Sequence, residues 1–86
     1  MELTKKEKQI LTLIDDSKVY NFIELAQKHV KISKEEIEKI VEKFLKLKLI
    51  NKVELKKGEF WYFHDKSKVT KDMRDDDLYY KLNFQS

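Results

Sequence analysis

The stretch FIELAQKHVKISKEEIEKIVEKFLKLKLI, residues 22–50, decides the fold predicted for this chain of 86 residues. Its apolar residues recur at helical spacing over 22–29 and again over 34–48, and only the four residues VKIS separate the two runs. Ser33 and Glu36 form a capping-box pattern at the start of the second run, and Ile32 with Ile37 adds a hydrophobic staple. The stretch therefore predicts two helices joined by a turn short enough to fix a steep crossing angle.

The flanking residues extend this pair to a helix, helix, helix, hairpin order. Thr4 with Glu7 and Asn21 with Glu24 repeat the capping-box pattern, which predicts a first helix over 5–15 and a second that begins at residue 22. In NKVELKKGEFWYFH, residues 51–64, the apolar period falls to two, and the only glycine, Gly58, lies at the bend, as in a β-hairpin. The predicted helical core positions are Ile10, Leu11, Leu13, Ile14, Phe22, Ile23, Leu25, Ala26, Ile37, Ile40, Val41, Phe44 and Leu47.

Length and composition restrict the class of protein. The chain provides one small domain, has no cysteine for a disulfide or thiolate metal site, and contains neither a signal-peptide pattern nor a membrane-length apolar run. The net charge of +3 is weakly basic, and Arg74 is the only arginine among 19 basic residues, which leaves little bidentate readout of guanine. No P-loop or nucleophile–base pattern is present. We therefore expect a cytoplasmic, non-enzymatic protein without a cofactor or a membrane partner.

The order of elements resembles the winged-helix family of helix-turn-helix domains. This is an α+β fold in which a three-helix core is followed by a two-stranded β-hairpin wing. The resemblance covers residues 3–64, is carried by the two stretches quoted above, and implies a winged-helix domain over 1–64 followed by a C-terminal extension over 65–86. It also implies that the third helix and the wing face DNA, and that Ala26 is the small residue over which the third helix crosses.

The front end of the third helix, however, is acidic. Glu35, Glu38 and Glu42 would face a groove lined by phosphates, which opposes base readout. One interpretation is a solvated face on which each glutamate pairs with a lysine one helical turn further along the chain, such as Glu35 with Lys39. A second is a conventional DNA-reading helix that uses Lys34 and Lys39, and a third is an acidic surface for a basic protein partner.

The wing carries four consecutive aromatic residues over 60–63, so two rings must point to each face. An even-length turn places Phe60 and Tyr62 on the core side with Val53 and Leu55, and leaves Trp61 and Phe63 outside. A three-residue turn with a bulge at Gly58 reverses the two faces. Outward rings would be covered by the C-terminus, anchor a partner, or stack on an unpaired base. The wing lysines are either solvated or in contact with a phosphate backbone.

The extension ends in DLYYKLNFQS, residues 77–86, which is too apolar for a free tail. It would pack on the first helix, form a homodimer, or dock into another protein. The sequence favours an accessory module that binds a larger protein subunit of a DNA-processing (replication or transcription) complex, with at most auxiliary phosphate contact through the wing. The alternative is a DNA-binding winged-helix transcription regulator, dimeric through the extension. Candidate partner-binding residues are Glu35, Glu38, Glu42, Trp61, Phe63, Tyr79, Tyr80 and Phe84, and candidate nucleic-acid contacts are Lys34, Lys39, Lys52, Lys56 and Lys57.

Overall fold

The computed structural model of the chain describes residues 2–14, 22–56 and 59–84. These residues form helices and one two-stranded antiparallel hairpin, an α+β arrangement. In chain order the elements are α1 (Lys5–Ile14), α2 (Phe22–His29), α3 (Lys34–Lys46), β1 (Ile50–Lys56), β2 (Glu59–His64), a 3₁₀ turn (Lys71–Met73) and α4 (Asp76–Phe84). No helix in the described ranges is long and apolar enough to cross a membrane.

Capping side chains start α1 and α3 where the sequence predicts them. The Thr4 N–H donates to Glu7 Oε1 over 2.9 Å, and the Glu7 N–H donates to Thr4 Oγ1 over 3.1 Å, so this capping box is complete. At α3, Ser33 Oγ accepts from the Glu36 N–H over 3.2 Å. Asn21, the predicted cap of α2, lies outside the described residues. Local side-chain chemistry therefore fixes the start of α3, the helix that carries the acidic residues.

The end of α3 was predicted at Lys48, which is wrong, because the helix ends at Lys46. Lys48 has a φ of 59°, in the left-handed region that closes many helices. The Lys48 N–H donates to Leu45 O over 3.1 Å and the Leu49 N–H donates to Phe44 O over 3.0 Å, the two bonds of a Schellman motif. This turn directs the chain straight into β1.

One buried core joins the helices, the hairpin and the C-terminal extension. Ala26 is fully buried in α2, as expected for a helix that another crosses closely. Leu47 was predicted in the core but is 37% exposed, because the chain leaves the helical path at that residue. The buried apolar residues are Leu3, Ile10, Leu11, Leu13, Ile14, Phe22, Ala26, Val30, Ile37, Ile40, Val41, Phe44, Leu49, Ile50 and Leu78.

The register of the hairpin places Tyr62 on the core side. Lys52 pairs with Tyr62, and Ile50, which is buried, pairs with His64. The Tyr62 ring meets the Phe22 ring edge-on, with centroids 5.8 Å apart. The His64 Nε2 donates to the carbonyl of Leu11 over 2.5 Å, near the C-terminus of α1, where helical carbonyls lack intrahelical partners. The hairpin is therefore attached to α1 and α2 through its core-facing side.

Val53 lies on the other face of the hairpin, which corrects the sequence prediction. The prediction for an even-length turn grouped Val53 with Tyr62, but Val53 pairs with Trp61 and is 37% exposed. The reason is a register shift between Glu54 and Lys56. Because of this shift, Val53 points to the opposite face from the one that uninterrupted pairing would give. The faces predicted for Leu55, Phe60 and Trp61 concern side chains that lie outside the described part of the structure.

The C-terminal extension packs on α1, one of the three outcomes expected from its sequence. The buried hydroxyl of Thr12 donates to Lys8 O over 2.7 Å and accepts from the Asp75 N–H over 2.8 Å. Asp75 Oδ1 accepts from the Leu78 N–H over 3.0 Å and so caps α4. Leu78 is 8% exposed and belongs to the common core. Thr12 therefore fixes the position from which α4 begins.

Replacement of Thr12 by valine is expected to loosen the extension. Valine has the same shape but leaves the Asp75 N–H without its acceptor, which costs about 1–2 kcal/mol of unfolding free energy. The measurement is a urea titration followed by circular dichroism, with amide hydrogen exchange of residues 76–81. Thr70→Val, at an exposed threonine, is the control. Unchanged exchange in α4 of Thr12→Val would show that this hydrogen bond does not hold the extension.

Candidate partner-binding groove

A groove with a volume of about 540 Å³ is lined by α2, α3 and the hairpin. We call it the acidic groove. Among its described lining residues three are acidic and two are basic, which gives these residues a formal charge of −1. Its lining residues are Ile23 from α2, then Glu35, Glu38, Lys39, Val41, Glu42 and Leu45 from α3, and Lys52 and Tyr62 from the hairpin.

The helical repeat places the three glutamates together. Glu35, Glu38 and Glu42 are spaced by three and four residues, so they share one face of α3, and all three are exposed. Val41 is buried below them and Leu45 is partly buried. The result is an acidic rim above an apolar floor, held on a regular helix.

The Tyr62 hydroxyl belongs to this electrostatic environment. Burial raises the pKa of Tyr62 above its usual value, and the negative charge of Glu38 raises it further. The phenol therefore stays neutral at physiological pH and presents a hydroxyl that donates and accepts hydrogen bonds. Glu38 and Tyr62 both line the acidic groove, so the carboxylate and the phenol belong to the same site.

Ion pairs on α3 differ from those proposed from the sequence. Lys34 Nζ lies 3.9 Å from Glu38 Oε1, with both side chains more than half exposed, an arrangement worth at most about 0.5 kcal/mol. Among the described residues, Glu35 forms no ion pair with Lys39, and Glu42 forms none either. Two of the three rim carboxylates are therefore not engaged by a described cation.

A second ion pair, which the sequence did not predict, joins α1 to α3. Lys43 Nζ donates to Glu7 Oε2 over 2.6 Å, and Glu7 is only 7% exposed. Burial raises the pKa of Glu7, but the hydrogen bonds from Lys43 and Thr4 outweigh burial and hold the pKa below its usual value. The partners are 36 residues apart, so no local pattern could show the pair. The contact fixes α3 against α1 and so orients the acidic groove.

Of the remaining candidate residues, Lys34, Lys56, Phe63, Tyr79 and Tyr80 do not line the acidic groove. Phe63 is partly buried, and Tyr79 lies under the Arg74 guanidinium, 4.8 Å from Cζ to the ring centroid. Tyr80 is 57% exposed on α4. Lys34 and Lys56 are exposed, whereas the side chains of Trp61, Lys57 and Phe84 lie outside the description.

Sequence reasoning missed four described residues of the groove, one of which is Tyr62 of the hairpin. Ile23 and Val41 were predicted only as core positions, yet they also form its floor, and Leu45 was not singled out. Their apolar character gives no signal that separates a groove floor from a core. Within the described part of the chain, no group of three or more histidines, cysteines, aspartates or glutamates could hold a metal ion.

Comparison of the chain with protein-family models, with curated proteins and with solved structures found no match. The function is therefore argued from the groove and the charges around it.

Proposed function

We propose that the chain is a non-enzymatic winged-helix accessory module that binds a basic, partly apolar segment of a larger protein in a DNA-processing complex. The fold proposal is supported by the order α1, α2, α3, hairpin, by the short connection between α2 and α3, and by the buried Ala26 in α2. In this assignment α3 is the helix that would face DNA and the hairpin is the wing.

The acidic groove is the observation that carries the proposal. It lies where α3 meets the hairpin, the surface at which a winged helix would approach DNA, and its rim is acidic. Carboxylates facing a phosphate backbone oppose binding, whereas the same carboxylates complement lysines of a protein segment. The floor of Ile23, Val41 and Leu45 offers contacts to apolar side chains of that segment.

The test compares a short peptide of alternating lysine and leucine with duplex DNA, both fluorescently labelled, by anisotropy. We expect saturable binding of the lysine–leucine peptide that weakens with salt, because its charge and apolar faces match the rim and floor. A glutamate–leucine peptide of equal length is the control and should not bind. Duplexes of unrelated sequence should bind with equal affinity, since α3 does not read bases.

Sequence-selective binding to one duplex from a randomised pool, without binding of the lysine–leucine peptide, would contradict the accessory function. That result would support the second candidate, a DNA-binding regulator. One observation favours this candidate: Lys39 and Lys52 line the same groove, and Lys34 and Lys56 are exposed nearby in the chain. A regulator that dimerises through the extension would use Tyr80, which is exposed on α4.

A further inference from the structure

A second concave surface, with a volume of about 370 Å³, is formed by α1, the end of α2 with the following turn, and α4. Four lysines line it, and all four are exposed. We call this surface the basic concavity and define it by Lys5, Lys28, Lys31 and Lys81. No described residue lines both this surface and the acidic groove.

The basic concavity carries a net positive charge. Its described lining residues include four lysines and two aspartates, Asp75 and Asp77, which gives them a formal charge of +2 when His29 is counted as neutral. Asp75 Oδ1 already accepts the hydrogen bond that caps α4. None of the four lysines forms an ion pair with a described residue. The acidic groove has the opposite balance, so the two surfaces suit different ligands.

Folding brings these lysines together from distant parts of the sequence. Lys5 begins α1, Lys28 lies in the last turn of α2, Lys31 follows it, and Lys81 lies in α4. The position of Lys81 depends on the packing of Leu78 and on the hydrogen bond between Thr12 and Asp75. The extension therefore completes the basic concavity.

The lining chemistry favours phosphate over other anionic partners. A protein interface requires apolar or aromatic anchors and is depleted in lysine, yet among the described lining residues only Leu78 is apolar, and it is buried. A concave surface does not fit a flat bilayer. Lysine ammonium groups, with Gln9 and His29 as further hydrogen-bonding groups, are typical contacts to a nucleic-acid backbone.

We propose that the basic concavity binds the phosphate backbone of nucleic acid without reading its sequence. This goes beyond the proposed protein-binding function and does not depend on it. The two surfaces together would hold a nucleic acid on one site and a basic protein segment on the other. Binding is electrostatic, because a lysine ammonium acts as a point charge and cannot make the bidentate hydrogen bonds by which arginine recognises a base.

The test removes two charges with Lys28→Gln/Lys31→Gln and measures binding to a labelled DNA duplex by anisotropy over a series of salt concentrations. Wild-type protein is expected to bind unrelated sequences equally. The variant is expected to bind roughly tenfold to a hundredfold more weakly at low salt, and the slope of log K against log salt should fall by about 2. Both lysines are exposed, so thermal melting of the variant should match that of the wild type.

The matched control is Lys46→Gln/Lys66→Gln, which removes the same charge from two exposed lysines that line neither of the two surfaces. It should leave duplex affinity within about twofold, since those lysines are not in the proposed phosphate site. Failure of the wild type to bind DNA, an unchanged Lys28→Gln/Lys31→Gln variant, or loss of binding only in the control would each overturn the proposal. So would equally tight binding of a polyglutamate peptide, because the site would then take an acidic protein. None of these outcomes depends on the lysine–leucine peptide, so the two proposals fail separately.

Discussion

Replacement of Lys43 by methionine is expected to lower the free energy of unfolding by about 2–3 kcal/mol at neutral pH. The methionine keeps the apolar stem but leaves the Glu7 carboxylate, 7% exposed, without its cation. Loss of one partner of a fully buried pair costs about 3–5 kcal/mol, and the lower value here reflects the Lys43 side chain, which is 47% exposed. Urea titration followed by circular dichroism measures the difference.

The pH dependence of this stability difference shows whether the Glu7 carboxylate is its cause. The pKa of Glu7 is lowered in the folded state, so its ionised form contributes stability above the unfolded pKa, and this contribution is lost as pH falls through the folded pKa. Removal of Lys43 removes its share of this lowering of the Glu7 pKa, while the hydrogen bonds from Thr4 remain. Below both pKa values Glu7 is protonated in folded and unfolded states alike, so wild type and Lys43→Met should converge in stability in acid.

Lys46→Met, at an exposed lysine in the last turn of α3, is the matched control and should change stability by less than about 0.5 kcal/mol at any pH. If Lys43→Met remains less stable than wild type by the same free energy of unfolding in acid, the loss of stability comes from packing and not from Glu7. The orientation of α3 would then have to be attributed to the apolar core alone.

Neutralisation of the groove rim is expected to produce the largest change in binding. The variant Glu35→Gln/Glu38→Gln/Glu42→Gln keeps side-chain size but removes the three carboxylates that face a basic segment. We expect the affinity for the lysine–leucine peptide to fall roughly tenfold to a hundredfold at low salt, and to differ less at high salt, where exposed charges are screened. Anisotropy titration measures this.

The control for net charge is Glu2→Gln/Glu54→Gln/Asp72→Asn, three exposed acidic residues that do not line the acidic groove. It removes the same total charge, so a specific site predicts that peptide affinity stays near that of wild type. An equal loss in both variants would show that the peptide responds to the overall charge of the protein. The acidic groove would then not be a binding site.

The parts of the fold with local causes were predictable from the sequence. The complete capping box at Thr4 and the Ser33 cap mark the observed starts of α1 and α3, because their hydrogen bonds lie within one turn. The end of α3 was not predictable, since Lys48 occupies a left-handed position usually taken by glycine. The face of Val53 was missed because an irregularity in β1 leaves no sequence signal.

The candidate site was predictable only in part, for the same reason. The three rim glutamates follow from the helical repeat of α3, which the sequence shows directly. The presence of Tyr62 in the acidic groove depends on the hairpin register, and the packing of α3 depends on a pair 36 residues apart. Long-range contacts of this kind are not encoded in any local pattern.

The most direct test of the accessory function is an NMR titration of ¹⁵N-labelled protein with the lysine–leucine peptide. The acidic groove predicts that amide shifts change in α3 around Glu38 and Glu42 and in β2 at Tyr62, while Lys28, Lys31 and Lys81 stay unchanged. Shifts confined to residues outside the groove, or no shifts at all at saturating peptide, would contradict the assignment of this surface as a protein-binding site.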